Sequence, residues 1–148
     1  LVQLYKVFCR SKLRPPSEPV GWKHRAKYRL DLVGFCYIAH RHDIGKNIVK
    51  VLMESYGFKV YDLGRDTEPQ KIIDCINETG CKLVGLSALM TTTVPAMEET
   101  IRILRENYND VKVMVGGAVL TEEYAKMINA DMYAEDAMAA VRYGNELL

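Results

Sequence analysis

The chain has 148 residues, 49% of them hydrophobic and 26% charged, with a formal net charge of +1. That length and balance suit one globular domain with its own core, and the near-neutral charge excludes a basic-patch binder of nucleic acid or anionic membrane. No apolar stretch approaches the roughly 20 residues of a membrane span, and four cysteines without a Cys-x-x-Cys spacing point to reduced thiols in a cytoplasmic protein rather than a zinc site or a disulfide scaffold.

In chain order, residues 1–31 read as an irregular arm or leader. Pro15, Pro16 and Pro19, the single Trp22 and many Lys and Arg interrupt any helical or strand period. Lys6, Arg10 and Lys12 break up the first apolar stretch, so it does not read as a signal peptide. Residues 32–148 read as one domain in which strands and helices alternate. Strands are expected over residues 32–38, 59–63, 83–87, 112–115 and 131–134. After the first of these, Ile44, Ile48 and Leu52 recur at four-residue spacing, and Gly57 supplies a helix stop. Thr67 and Gln70 form a capping-box pattern ahead of Ile72, Ile73 and Ile76. Thr93 is placed to cap a helix with Pro95 in its first turn and Val94, Met97, Ile101 and Leu104 on one face. Thr121 opens a short helix holding Tyr124, Met127 and Ile128, and Ala137, Ala140, Val141 and Leu147 mark the last one.

Five strands alternating with five helices imply an α/β fold with parallel strands joined by crossovers. The expected architecture is a flavodoxin-like (Rossmann-like) doubly wound five-stranded sheet of order 2-1-3-4-5. Residues 83–86 are apolar throughout, as burial on both faces requires. In such sheets ligands bind beyond the carboxyl ends of the strands, beside the switch point, here between the loops after the first and third strands. The first of these loops runs from His40 through His42 and Asp43 to Asn47; the second runs from Ser87 to Thr93. Gly116 and Gly117 follow the fourth strand, and the fifth leads through Ala134 to Glu135 and Asp136. Small and hydroxyl residues with one imidazole cluster describe a slot for a bulky, largely neutral organic group. The glycines fit neither Gly-x-Gly-x-x-Gly nor a P-loop.

The linked pattern His42-x-x-Gly45, Ser87-x-Leu89 and Gly116-Gly117 resembles the cobalamin-binding signature Asp-x-His-x-x-Gly, Ser-x-Leu, Gly-Gly. The strings HDIGKNIV, VGLSALMTTT and VMVGGA are similar to the corrinoid domains of methyltransferases, cobalamin-dependent methionine synthase among them. The similarity covers about residues 42–148. It stops abruptly upstream: His40 stands where the family has Asp, and residues 1–31 are too short and irregular for the family's helical cap. A divergent protein, a domain fragment and an upstream reading-frame error each account for that break.

The resemblance implies cobalamin as cofactor, shuttling between cob(I)alamin and methylcobalamin, and methyl-donor and methyl-acceptor methyltransferases as partners, with no nucleic acid and no membrane. It implies His42 as the cobalt ligand, replacing the cofactor's own base. Imidazole ligates transition metals well when neutral, but His40 brings no carboxylate to accept the second ring N–H, which predicts weaker ligation than in the family. Asp43 fits an N-cap near the corrin edge, and Gly45 clears space for the nucleotide tail. Ser87 would hydrogen-bond the freed base, Leu89 would pack on it, and Thr91 would reach the corrin amides or tail. Gly116, Gly117 and the Ala134 backbone complete the expected tail contacts. Two alternatives stand beside the methyl carrier: a cobalamin subunit of a mutase, and a non-catalytic cobalamin sensor or decayed domain. A phosphoacceptor receiver domain shares the fold but needs an acidic residue where Ser87 stands.

Overall fold

The computed structural model describes residues 34–35, 44–64 and 67–147. Strands β1 (Gly34–Phe35), β2 (Leu83–Ser87), β3 (Lys112–Gly116) and β4 (Met132–Ala134) form a parallel sheet in the order β1-β2-β3-β4. Helices α1 (Ile44–Ser55) and α2 (Pro69–Thr79) lie between β1 and β2, α3 (Val94–Asn107), α4 (Glu122–Met127) and α5 (Ala137–Glu146) follow β2, β3 and β4 in turn, and a short 3-10 turn at Thr91–Thr93 leads into α3. This is the flavodoxin-like doubly wound fold. The strand order matches the expected 1-3-4-5 portion of the sheet. At the expected second strand, residues 59–63, only Asp62 makes an isolated bridge. The expected first strand is described only at Gly34 and Phe35.

Successive strand residues point to opposite faces, and the core divides accordingly. Val84 and Leu86 of β2, with Val113 and Val115 of β3, join a cluster containing Ile72 and Ile76 of α2, Met97, Ile101 and Leu104 of α3, and Ala125 of α4. Leu83 and Met114 point the other way, into a cluster with Met53 of α1, Phe58, and Ala140 and Val141 of α5. One sheet thus serves two layers, which is why β2 carries no polar side chain until Ser87.

The α1 stop forms as expected. Gly57 sits at φ 88, Phe58 N–H donates to the Met53 carbonyl at 3.1 Å, and Gly57 N–H to the Glu54 carbonyl at 3.0 Å, a Schellman closure completed by Phe58 packing in one cluster with Met53. Two expected caps do not form. Pro69 takes the first position of α2 and leaves Glu68 as its N-cap without a side-chain bond. Thr67 instead donates to the Leu63 carbonyl at 2.8 Å, and Gln70 to Asp74 at 2.9 Å. Thr93 does stand at the start of α3, but the 3-10 turn brings the Met90 carbonyl within 2.6 Å of its hydroxyl, which donates there rather than accepting from the helix. Thr121 does cap α4, accepting from Tyr124 N–H at 3.3 Å.

At the amino ends of the strands, Asp131 ties the sheet to α3. Its carboxylate accepts from Val113 N–H at 2.7 Å, from Lys112 at 3.1 Å and from Arg105. Arg105 also donates to the Val111 carbonyl at 2.9 Å and the Asn129 carbonyl at 3.0 Å. Burial would raise the Asp131 carboxyl, but the Arg105, Val113 and Lys112 bonds outweigh it and hold the group below the ordinary carboxylate range. Among the described residues, no helix is long and apolar enough to cross a membrane.

Candidate functional site

The carboxyl ends of the strands line up in one row. Ser87, Gly116 and Ala134 are register partners across β2, β3 and β4, so parallel pairing alone sets three of the expected residues side by side. Beyond that row the β2 and β3 loops are bound together: Ala88 N–H donates to the Gly116 carbonyl at 3.0 Å.

The glycine pair owes its identity to this approach of backbones. A Cβ on Gly117 would lie 2.1 Å from the Ala88 carbonyl oxygen, and its φ of +116 is one that side chains rarely adopt. A Cβ on Gly116 would lie 2.8 Å from the Ala134 carbonyl oxygen. Both positions are therefore closed to larger residues by the protein's own chain, whatever else they touch.

Above the row lies a cavity of about 310 Å³. Gly45, Ser87, Leu89, Gly116, Gly117 and Ala134 all line it. Its floor is buried Leu86, Met114, Val115 and Ala140, and its sides include Ile48 and Val49 of α1 and Ala137 of α5. Lys50, Glu135 and Asp136 bring charge to it. Asp136 caps α5, its carboxylate accepting from Ala139 N–H at 2.6 Å, and so fixes the start of the helix that supplies Ala137 and Ala140. In the first turn of α1, Gly45 lines the cavity, and a Cβ there would meet no atom of the described residues within 4 Å. Its missing side chain leaves room that the described residues do not fill.

Thr91 does not line the cavity; it is exposed in the 3-10 turn. His40, His42 and Asp43 lie outside the described residues. Sequence reasoning missed Ile48, Val49, Met114, Ala137 and Ala140 as cavity residues. The available signal was the run of small residues opening the last helix, Ala137, Ala139 and Ala140, which lets a helix stand close to the strand ends without filling the space between.

The arrangement fits the tail of a large organic cofactor: an apolar floor, one hydroxyl at Ser87, and clearance at Gly45. Residues 30–142 match the B12 binding domain family. The chain belongs to that family. Cobalamin is accordingly its cofactor. This B12-binding domain is 47% identical over 109 residues to dimethylamine corrinoid protein 3 of Methanosarcina mazei, the match covering 72% of this chain and 65% of that protein. It spans about half the length of several other curated dimethylamine corrinoid proteins. A cobalamin-binding protein from Desulfitobacterium hafniense superposes with a TM-score of 0.70 at 33% identity, over 76% of this chain and 56% of that one. A chain of the methanol:cobalamin methyltransferase complex of Methanosarcina barkeri gives a TM-score of 0.70 at 29% identity, over 76% of this chain and 45% of that one.

Proposed function

We propose that this B12-binding domain seats the nucleotide tail of its corrinoid in the cavity between α1 and α5 and serves as the methyl carrier between a methyl-donor and a methyl-acceptor methyltransferase partner in the cytoplasm. The observation that carries the reading is the ready-formed cavity, walled by Gly45, Ser87, Leu89, Gly116, Gly117 and Ala134. The corrinoid proteins of dimethylamine and the methyltransferase complex among its relatives support the carrier role.

When bound, the corrinoid supplies the methyl-transfer chemistry at cobalt. The chain's residues bind and orient it. The Ser87 hydroxyl would donate to a ring nitrogen of the tail base, Leu89 would pack on the base, and Gly45 would give the tail clearance beside α1. Gly116 and Gly117 keep the backbone flush where the tail passes, and the Ala134 backbone completes the lining. Thr91, exposed on its turn, would serve the amide groups of the corrin. The His42 imidazole would ligate the metal, and Asp43 would serve as the N-cap of α1. With His40 where the resemblance expects a carboxylate, that position would offer His42 no anion to raise its basicity, so its bond to the metal would be weaker than with Asp there.

His40 also favours a second reading, a domain that binds cobalamin as a sensor without ligating cobalt. Reconstitution of the full chain with hydroxocobalamin, followed by reduction to the Co(II) state and electron-spin spectroscopy, separates the two. The carrier reading expects nitrogen hyperfine coupling from a protein imidazole that disappears in His42→Ala. Binding without that coupling supports the sensor, and no binding at all refutes both. An adenosyl rather than a methyl group on the purified chain would assign it to a mutase.

A further inference from the structure

We infer that the cavity sorts corrinoids by their lower base, admitting a benzimidazole-type bicycle and disfavouring a purine. The inference rests on the tail-binding reading above and concerns which tail the cavity accepts. Its floor is carbon: Leu86, Met114, Val115 and Ala140 are each at most 1% exposed, and Leu89 adds an apolar wall. Among the described residues that line it, Ser87 is the one uncharged polar side chain.

Several groups of the described lining residues that could serve a purine already hold a partner, and the charged ones are Lys50, Glu135 and Asp136. The Gly116 and Gly117 carbonyls already accept from Ala88 N–H at 3.0 Å and Leu120 N–H at 3.3 Å. The Asp136 carboxylate accepts from Ala139 N–H as the α5 cap. Glu135 is exposed.

A benzimidazole displaced from cobalt presents two apolar faces and one ring nitrogen that needs a donor, and one hydroxyl meets that need. Adenine in the same place carries an exocyclic amine and further ring nitrogens, each of which leaves water on entry and meets, among the described lining residues, mainly carbon and groups that already hold a partner. A buried polar group left unpaired weakens binding by about 5- to 100-fold, so discrimination of at least about 10-fold is expected.

The test titrates the full apo-chain with two cobamides that differ only in the lower base, dimethylbenzimidazole or adenine, and with cobinamide, which has no base. Dissociation constants come from equilibrium dialysis, a readout independent of methyl transfer. The benzimidazolyl form should bind at least about 10-fold more tightly than the adeninyl form, and both should outbind cobinamide. Leu89→Asn, at a half-buried position, should narrow that ratio to within about 3-fold by lending the amine a partner, whereas Leu89→Met should preserve it. Equal affinities for the two cobamides, or a ratio unmoved by Leu89→Asn, would overturn the selectivity while leaving cobalamin binding intact. Cobinamide binding as tightly as cobalamin would overturn any role for the cavity in holding the base. Failure of every corrinoid to bind would overturn the tail-binding reading and the selectivity together.

Discussion

Adding one methyl group at position 45 separates what the fold needs from what the ligand needs. Gly45 lies in the first turn of α1, and a Cβ there would have no neighbour within 4 Å among the described residues. Against the described residues Gly45→Ala therefore has no steric cost, and the change removes a flexible residue from a helix. That gain is at most about 1 kcal/mol, or a rise of roughly 2–4 °C in the midpoint of thermal unfolding for a chain of this size. The same methyl projects into space bordering the cavity. If a corrinoid tail passes there, the methyl overpacks the complex by about 1–3 kcal/mol, which is about 5- to 150-fold in Kd. Calorimetry of apo Gly45→Ala and a cobalamin titration of the same preparation give both numbers. The expected signature is opposite signs: equal or higher stability without cofactor and weaker binding with it. A destabilised apo-protein would show that the glycine serves the fold, and an unchanged Kd would show that the tail runs elsewhere.

Other substitutions probe the remaining parts. Gly117→Ala should destabilise the apo-protein by about 2 kcal/mol or more, because it combines an unfavourable φ with a collision against the Ala88 carbonyl; urea unfolding measures it. Gly144→Leu should cost about 1–3 kcal/mol, since even a Cβ there would lie 3.1 Å from Phe58 and 3.2 Å from Met53. Asp131→Asn should lower stability at neutral pH by about 1–3 kcal/mol. Because the folded-state pKa of Asp131 is depressed, its contribution is full above the unfolded value of about 4 and fades as pH falls below it, so the gap between wild type and Asp131→Asn should close in acid unfolding series. His40→Asp should strengthen the imidazole signature of His42 in the Co(II) spectrum, and an unchanged spectrum would remove the argument from the missing carboxylate.

Much of this architecture was legible because it follows from period and topology. Alternate residues of β2 and β3 part to two cores, and the runs at 83–87 and 112–116 already carry that pattern. The cavity's position follows from parallel strands ending together. The caps were less legible, because Thr67 and Thr93 each had a carbonyl within reach that the local turn presented more directly than the helix end did. The reason for Gly116 and Gly117 was also hidden. The motif suggests ligand contact, yet the close approach of the Ala88 and Ala134 carbonyls, which depends on loops distant in sequence, already forbids a side chain. The α5 wall escaped for a similar reason: Ala137 and Ala140 read as ordinary helix formers until β4 and the Asp136 cap aim them at the strand ends.

The clasp of Arg105, Lys112 and Asp131 sits at the pole of the sheet opposite the cavity. Substitutions that reshape the ligand mouth leave that anchorage untouched, so losses incurred at one pole can be compensated at the other without interference. A domain built this way can exchange one ligand preference for another by small steps, each tolerated because the far end holds the strands in place.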